Sequence, residues 1–107
     1  MIHPFPIPQN TKGMTSFTKE ELGVILGLYS MRVAKGEWRD YAIDHQKEIA
    51  VFSIFRHSAE HPLYTITKYK GSKTRAIQFE AHHDLKSIKK SSDLREVIEK
   101  LDEYKKG

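Results

Sequence analysis

A chain of 107 residues, 38% hydrophobic and 30% charged, has the size and make-up of one globular domain with its own core. It contains no cysteine, which excludes disulfides and thiolate metal or redox chemistry and fits a reducing compartment. Its formal net charge of +4 resides wholly in residues 67–107, and the longest apolar run of the domain, Ile49–Phe52, is too short to span a bilayer.

Residues 1–16 read as an extended, Pro-rich N-terminal tail. Pro4, Pro6 and Pro8 fix φ and remove backbone donors. The absence of a basic n-region argues against a signal or transit peptide, so a cytoplasmic protein is the default expectation. Phe5 and Ile7 are apolar enough to dock on the body or on a neighbouring subunit. Asn10–Ser16 is polar and contains glycine, as a connector does.

Residues 17–107 read as a single α+β domain. Its first helix begins at Thr18, which with Glu21 matches the S/T-x-x-E capping box, while Phe17 and Leu22 are spaced as a hydrophobic staple. Leu22, Ile25, Leu26, Tyr29 and Val33 follow the helical period, with Leu28 and Met31 widening the stripe. Gly36 lies where a helix ends, and Arg32 and Lys35 suit the negative end of the helix dipole. Gly23 and Gly27 weaken the helix interior, so a strand or second helix is expected to approach them closely.

After Gly36 the period falls to two. Tyr41, Ile43 and His45 alternate with Ala42 and Asp44. Ile49–Phe55 is apolar on both faces and reads as a central strand. Residues 57–62 form a loop. Leu63–Lys70, rich in Thr, Tyr and Ile, is a strand. Gly71–Thr74 is a hairpin turn. Arg75–Ala81 is a strand with Ile77, Phe79 and Ala81 on one face and Gln78 and Glu80 on the other. His82–Asp84 is a turn. Leu85–Lys90 is a short basic edge strand whose lysines discourage edge pairing. The last helix is capped by Ser92 or Asp93, with Glu96 at the reciprocal position. Leu94, Val97, Ile98, Leu101 and Tyr104 form its apolar face, and Lys105 and Lys106 suit its C-terminus. The order predicts a four- or five-stranded antiparallel β-meander flanked by an N-terminal and a C-terminal amphipathic helix.

Chemistry-bearing residues are few. Trp38, Arg39, Asp40, Asp44 and His45 are the candidate ligand-binding residues, because an Arg and two carboxylates in one short stretch suit a polar ligand. In a strand Asp40 and Asp44 share a face and His45 points the other way, which argues against an Asp–His catalytic pair. The bland alternative is that Trp38 plugs the helix–sheet corner and Arg39 pairs with an Asp to hold the turn. His57 and His61 are spaced i, i+4, but Pro62 argues against a helix there. His82 and His83 are neighbours that point apart in a strand. No metal site, cofactor or catalytic residue is expected on these grounds. Gly71–Arg75 lacks the phosphate-loop spacing, and no serine lies in a nucleophile-elbow context.

Residues 68–90 hold seven basic side chains, Lys68, Lys70, Lys73, Arg75, Lys86, Lys89 and Lys90, against Glu80 and Asp84. These are the candidate nucleic-acid-binding residues, since phosphate backbones require such charge. Base stacking requires exposed aromatics as well, and Tyr69 and Phe79 are expected to face the core. A solvated lysine face is the bland alternative.

The block Glu37–His45, with Ala50–Arg56, Phe17–Leu22 and Pro62–Ile66, resembles a small bacterial family of unknown function, associated with alphaproteobacteria, whose core is W-R-D-Y-A-I-D-H. The likeness covers about residues 17–104. It implies a small cytoplasmic bacterial protein and brings no activity, cofactor or catalytic residue. The first functional expectation is therefore a non-enzymatic module that binds a protein partner or itself. The second is nucleic-acid binding through 68–90. The third is a small-ligand or enzymatic site at Arg39, Asp40 and Asp44. No membrane partner is expected.

Overall fold

The computed structural model describes residues 13–57, 61–71 and 73–104; Phe5 and Ile7 of the tail, and Lys105 and Lys106, lie outside them. The elements run α1 (Lys19–Ala34), β1 (Asp40–His45), β2 (Ile49–Phe55), β3 (Tyr64–Lys70), β4 (Ile77–His83), β5 (Lys86–Ser91) and α2 (Leu94–Glu103). The strands form one open sheet in the order β1-β2-β3-β4-β5, every neighbour antiparallel. The α+β meander with a helix at each end is thus the fold, with five strands.

Local chemistry sets the limits of α1. The Thr18 hydroxyl accepts from the Glu21 N–H at 3.1 Å, and Glu21 Oε1 accepts from the Thr18 N–H at 2.8 Å, so the capping box is complete. Phe17 and Leu22 are both buried beside it. At the other end Gly36 adopts φ +76°. Its N–H donates to Val33 O at 2.9 Å, and the Glu37 N–H donates to Arg32 O at 2.9 Å. This is a Schellman ending, which glycine adopts without steric cost.

Two expectations for α1 need correction. Gly23 and Gly27 are exposed, and a Cβ at either would meet nothing within 4 Å, so among the described residues no element packs against them. The buried stripe is Leu22, Ile25, Leu28 and Tyr29. Val33 is 39% and Met31 42% exposed, because the last turn directs Arg32 toward α2 instead. Arg32 donates to Asp102 Oδ1 at 2.9 Å, to Asp102 O at 2.8 Å and to Glu37 Oε1 at 3.0 Å.

Both helices lie on one face of the sheet. On that face the ladder aligns Tyr41, Ile54, Tyr64 and His83 in one row, and Ile43, Phe52, Ile66 and Ala81 in the next. Tyr29 of α1 meets Tyr41 edge-on at 5.0 Å, and Tyr41 stacks on Phe52 at 4.9 Å. From α2, Leu94, Val97 and Leu101 enter the same core, and Tyr104 meets Tyr64 edge-on at 6.2 Å. Phe52, Ile54 and Ile66 are fully buried, each contributing about 1.5–3 kcal/mol of transfer free energy. Asp93 is the N-cap of α2, accepting from the Arg95 N–H at 3.0 Å. Glu96 does not reciprocate: the Asp93 N–H donates to Ser91 Oγ, and Glu96 faces Lys89 at 3.7 Å.

Candidate functional site

Among the described residues, the opposite face of the sheet carries no helix. Its rows follow from the ladder. Ala42, Ser53, Thr65, His82 and Ser87 form one, and Asp44, Val51, Thr67, Glu80 and Lys90 form the next. Ile49, Tyr69 and Gln78 close one end, and Asp40 and Phe55 flank the other. Period-2 alternation puts these residues together, since each strand that sends one set inward must send the other set out. β2 is therefore an interior strand whose second apolar face, Ile49, Val51 and Phe55, is only half-buried.

Glu80 is the centre of this face. Its carboxylate accepts from Tyr69 Oη at 3.0 Å and from Ser87 Oγ at 2.5 Å, with His82 Nε2 at 3.6 Å. Lys90 Nζ lies 5.1 Å from the centre of the Tyr69 ring, within cation–π range. Burial pushes the Glu80 carboxyl up. The hydrogen bonds from Ser87 and Tyr69 and the charges of His82 and Lys90 outweigh it, so Glu80 lies below the ordinary glutamate range. Burial first, and the bond to Glu80 second, push the Tyr69 phenol up. Chemically this is a carboxylate held ionised by neighbouring donors. Ser87 donates to Glu80 and not to a histidine, so the cluster lacks the relay of an activated nucleophile.

The sequence-derived ligand candidates are dispersed. Trp38 is buried, 6.2 Å from Tyr29 and 5.8 Å from Tyr64 between ring centres, at the corner between α1 and the sheet. Arg39 is exposed, and its backbone N–H donates to Phe55 O at 2.8 Å. Asp40 and Asp44 share the open face of β1: Asp40 Oδ1 accepts from the Tyr41 N–H, and Asp44 accepts from Gln46 Nε2, both at 2.8 Å. His45 points to the helix side and is half-buried. The arginine that does gather carboxylates near Trp38 is Arg32, whose guanidinium carbon lies 5.1 Å from the indole centre. Its role needed the two helix ends to meet, which local spacing does not reveal.

The basic segment is divided by the fold. Lys68 is buried on the helix side, donating to Glu21 Oε1 and to Ser16 O, both at 2.8 Å. Lys89 faces Glu96, Lys86 lies 5.9 Å from the centre of the Tyr104 ring, and Lys90 lies over Tyr69. Lys70, Lys73 and Arg75 have no ion pair or ring contact among the described residues. They are at the β3–β4 end of the sheet, while Lys86 is at the other end of its strands. Tyr69 is on the open face, contrary to the expectation that it faces the core; Phe79 is in the core as expected.

Both ends of the sheet have a hollow. One, of about 470 Å³, is lined by His61, Pro62, Tyr64, Thr65, Asp84 and Leu85 and is mainly apolar. The other, of about 350 Å³, is lined by Gly13, Lys47, Glu48, Lys70, Gly71 and Arg75. Lys47 did not stand out in the sequence. The available signal was the meander itself, in which the first and third hairpin turns share one end. Residues 13–16, read as connector, are attached at this end: the Thr15 N–H donates to Gln46 O at 2.8 Å and its hydroxyl to Lys47 O at 2.9 Å.

A family described as a protein of unknown function, DUF2794, matches residues 15–98. The chain belongs to that family. The matched span of the family runs from the anchored Thr15 through all five strands to Ile98 of α2, so it contains both the open face and the basic hollow. No curated protein and no solved structure matches the chain. Among the described residues, no helix is long and apolar enough to cross a membrane, and no three His, Asp or Glu side chains are placed to hold a metal ion.

Proposed function

We propose that this protein is a non-enzymatic binding module that self-associates through the open face of its sheet, with a second copy as the occupant. The observation that carries this reading is the charge arrangement of one row. Asp44 stands at the β1 edge and Lys90 at the β5 edge, with Val51, Thr67 and Glu80 between them. A twofold axis along β3 lays each row over its own copy, so Asp44 of each protomer faces Lys90 of the other. A twofold axis across the strands would instead set the two acidic β1 edges against each other. Two aligned sheets packed face to face form a sandwich about 10 Å thick, and an isologous pair closes without open ends.

The half-buried Ile49, Val51 and Phe55 supply apolar area to the centre. The Glu80 carboxylate already accepts from Tyr69 and Ser87, so covering it leaves it with partners. Five strands at about 4.8 Å spacing and seven residues at about 3.3 Å give a face of roughly 20 by 20 Å. That is small for a specific interface, so the dimer is expected to dissociate on dilution. A cytoplasmic setting belongs to this reading, because the cysteine-free chain fits a reducing compartment.

Sedimentation equilibrium over a wide concentration range tests it. Wild type should show a monomer–dimer equilibrium. Asp44→Lys and Lys90→Asp should each weaken it by about tenfold or more, and the double exchange should restore it, as paired charges require. A monomer at every concentration would sink the proposal, as would a dimer indifferent to both exchanges; capture of an unrelated protein by the same face would redirect it.

A further inference from the structure

Several basic residues have no ion pair or ring contact among the described residues, and three of them, Lys47, Lys70 and Arg75, line one hollow. We infer that the hollow between the β1–β2 and β3–β4 turns is a binding site for a phosphate-bearing anion, held by Lys47, Lys70 and Arg75. The site lies at the end of the sheet, so it is independent of the dimer face proposed above.

Charge and conformation support it together. Lys47 from the β1–β2 turn and Lys70 and Arg75 from the β3–β4 turn line one hollow of about 350 Å³, with Glu48 as the single acidic lining residue. None of the three cations has an ion pair among the described residues. The turns are coupled by backbone, the Lys70 N–H donating to Glu48 O at 2.9 Å, so the two lysine-bearing segments are held in register. Gly13 and Gly71 complete the lining without side chains.

Arg75 carries the second argument. It adopts φ +58°, the left-handed region that non-glycine residues occupy at a cost. Its N–H donates to Gly71 O at 2.8 Å and the Gly71 N–H donates to Ala76 O at 2.9 Å, a tight loop whose geometry demands that conformation. Glycine would fit there unstrained. A guanidinium is present instead, at the rim of a hollow already bordered by two lysines, and its planar fork suits phosphoryl oxygens. Strained backbone of this kind gathers at ligand sites.

The test titrates 15N-labelled full-length chain with inorganic pyrophosphate and, separately, with a single-stranded oligodeoxynucleotide at low salt. Amide shifts should concentrate at Gly13, Lys47, Lys70, Gly71 and Arg75. Binding of pyrophosphate assigns the site to small phosphorylated ligands. Binding of the oligonucleotide alone, with a log–log salt slope of about −0.7 per phosphate contacted, assigns it to a nucleic-acid backbone.

Lys47→Gln, Lys70→Gln and Arg75→Gly combined should weaken the bound probe by about tenfold or more, since charge-assisted contacts are lost. Lys35→Gln, Lys86→Gln and Lys100→Gln remove equal charge elsewhere and should change affinity less than about twofold if contact rather than the diffuse field decides. Arg75→Gly relieves the left-handed backbone, so its melting temperature should equal or exceed that of wild type, which separates lost binding from lost folding. No binding of either probe overturns the inference. Equal loss in both triple variants, or shifts spread over Lys86 and Lys90, also overturns it, by assigning the affinity to diffuse charge.

Discussion

The two faces of the sheet are made by the same strands and the same alternation, yet among the described residues only one of them is covered by helices. The helix face presents Phe52, Ile54, Ile66, Phe79 and Ala81, all buried. Its one buried ammonium, Lys68, is held by Glu21 and the Ser16 carbonyl. The open face presents Asp44, Glu80, His82 and Lys90 around the half-buried apolar row of β2. A folded monomer requires only the first face. The second keeps charges at opposite edges and half-buried apolar area between them, which is the arrangement the proposed self-association uses.

Substitutions matched across the sheet sharpen that contrast. The largest difference is expected between neighbours in β2. Phe52→Ala should cost about 3–5 kcal/mol in denaturant unfolding, as emptied aromatic sites do, and Phe55→Ala about 1 kcal/mol. Equal costs would mean that the second face is as enclosed as the first and would erase the distinction. Next come the lysines. Lys68→Ala leaves Glu21 the Thr18 N–H but removes its cation in a partly buried site and should cost about 2–3 kcal/mol, whereas Lys90→Ala in dilute monomer should stay within about 0.5–1 kcal/mol.

The smallest effect is in pH dependence. Glu80 lies below the ordinary glutamate range, so its contribution is present above the unfolded-state value and is lost as pH falls through the folded one. Unfolding free energy measured from neutral pH down to pH about 3 should therefore fall less steeply in Glu80→Gln than in wild type. An unchanged acid slope would show that the network on the open face holds no proton linkage.

Much of the fold was legible because its signals are local. The Thr18–Glu21 box and Gly36 bound α1, alternation marks β1 and β4, a doubly apolar run marks β2, and β-branched and aromatic content marks β3. β4, however, continues through His82 and His83, where the sequence predicts a turn. Where local reading failed, the missing quantity was a neighbour. Gly23 and Gly27 predict a close approach that no described element makes, because a helix weakened by glycine looks the same whether or not anything packs on it. The block around Trp38 drew attention to Arg39, while the working guanidinium belongs to Arg32, placed by the meeting of two helix ends seventy residues apart. The polar network of the open face is half legible: alternation sets Glu80 away from Phe79, but its partners Tyr69 and Ser87 lie on other strands.

What the sequence determined by itself was therefore the set of elements, their caps and their antiparallel order, since capping bonds, alternation and short turns act over a few residues. Tertiary structure decided which face the helices share, that Lys68 is engaged while Lys70 is not, and that Lys47 joins Arg75 at one end of the sheet. Alternation is symmetric between two faces and charge carries no address along the chain. Only packing, which buries one face and brings distant turns together, breaks that symmetry.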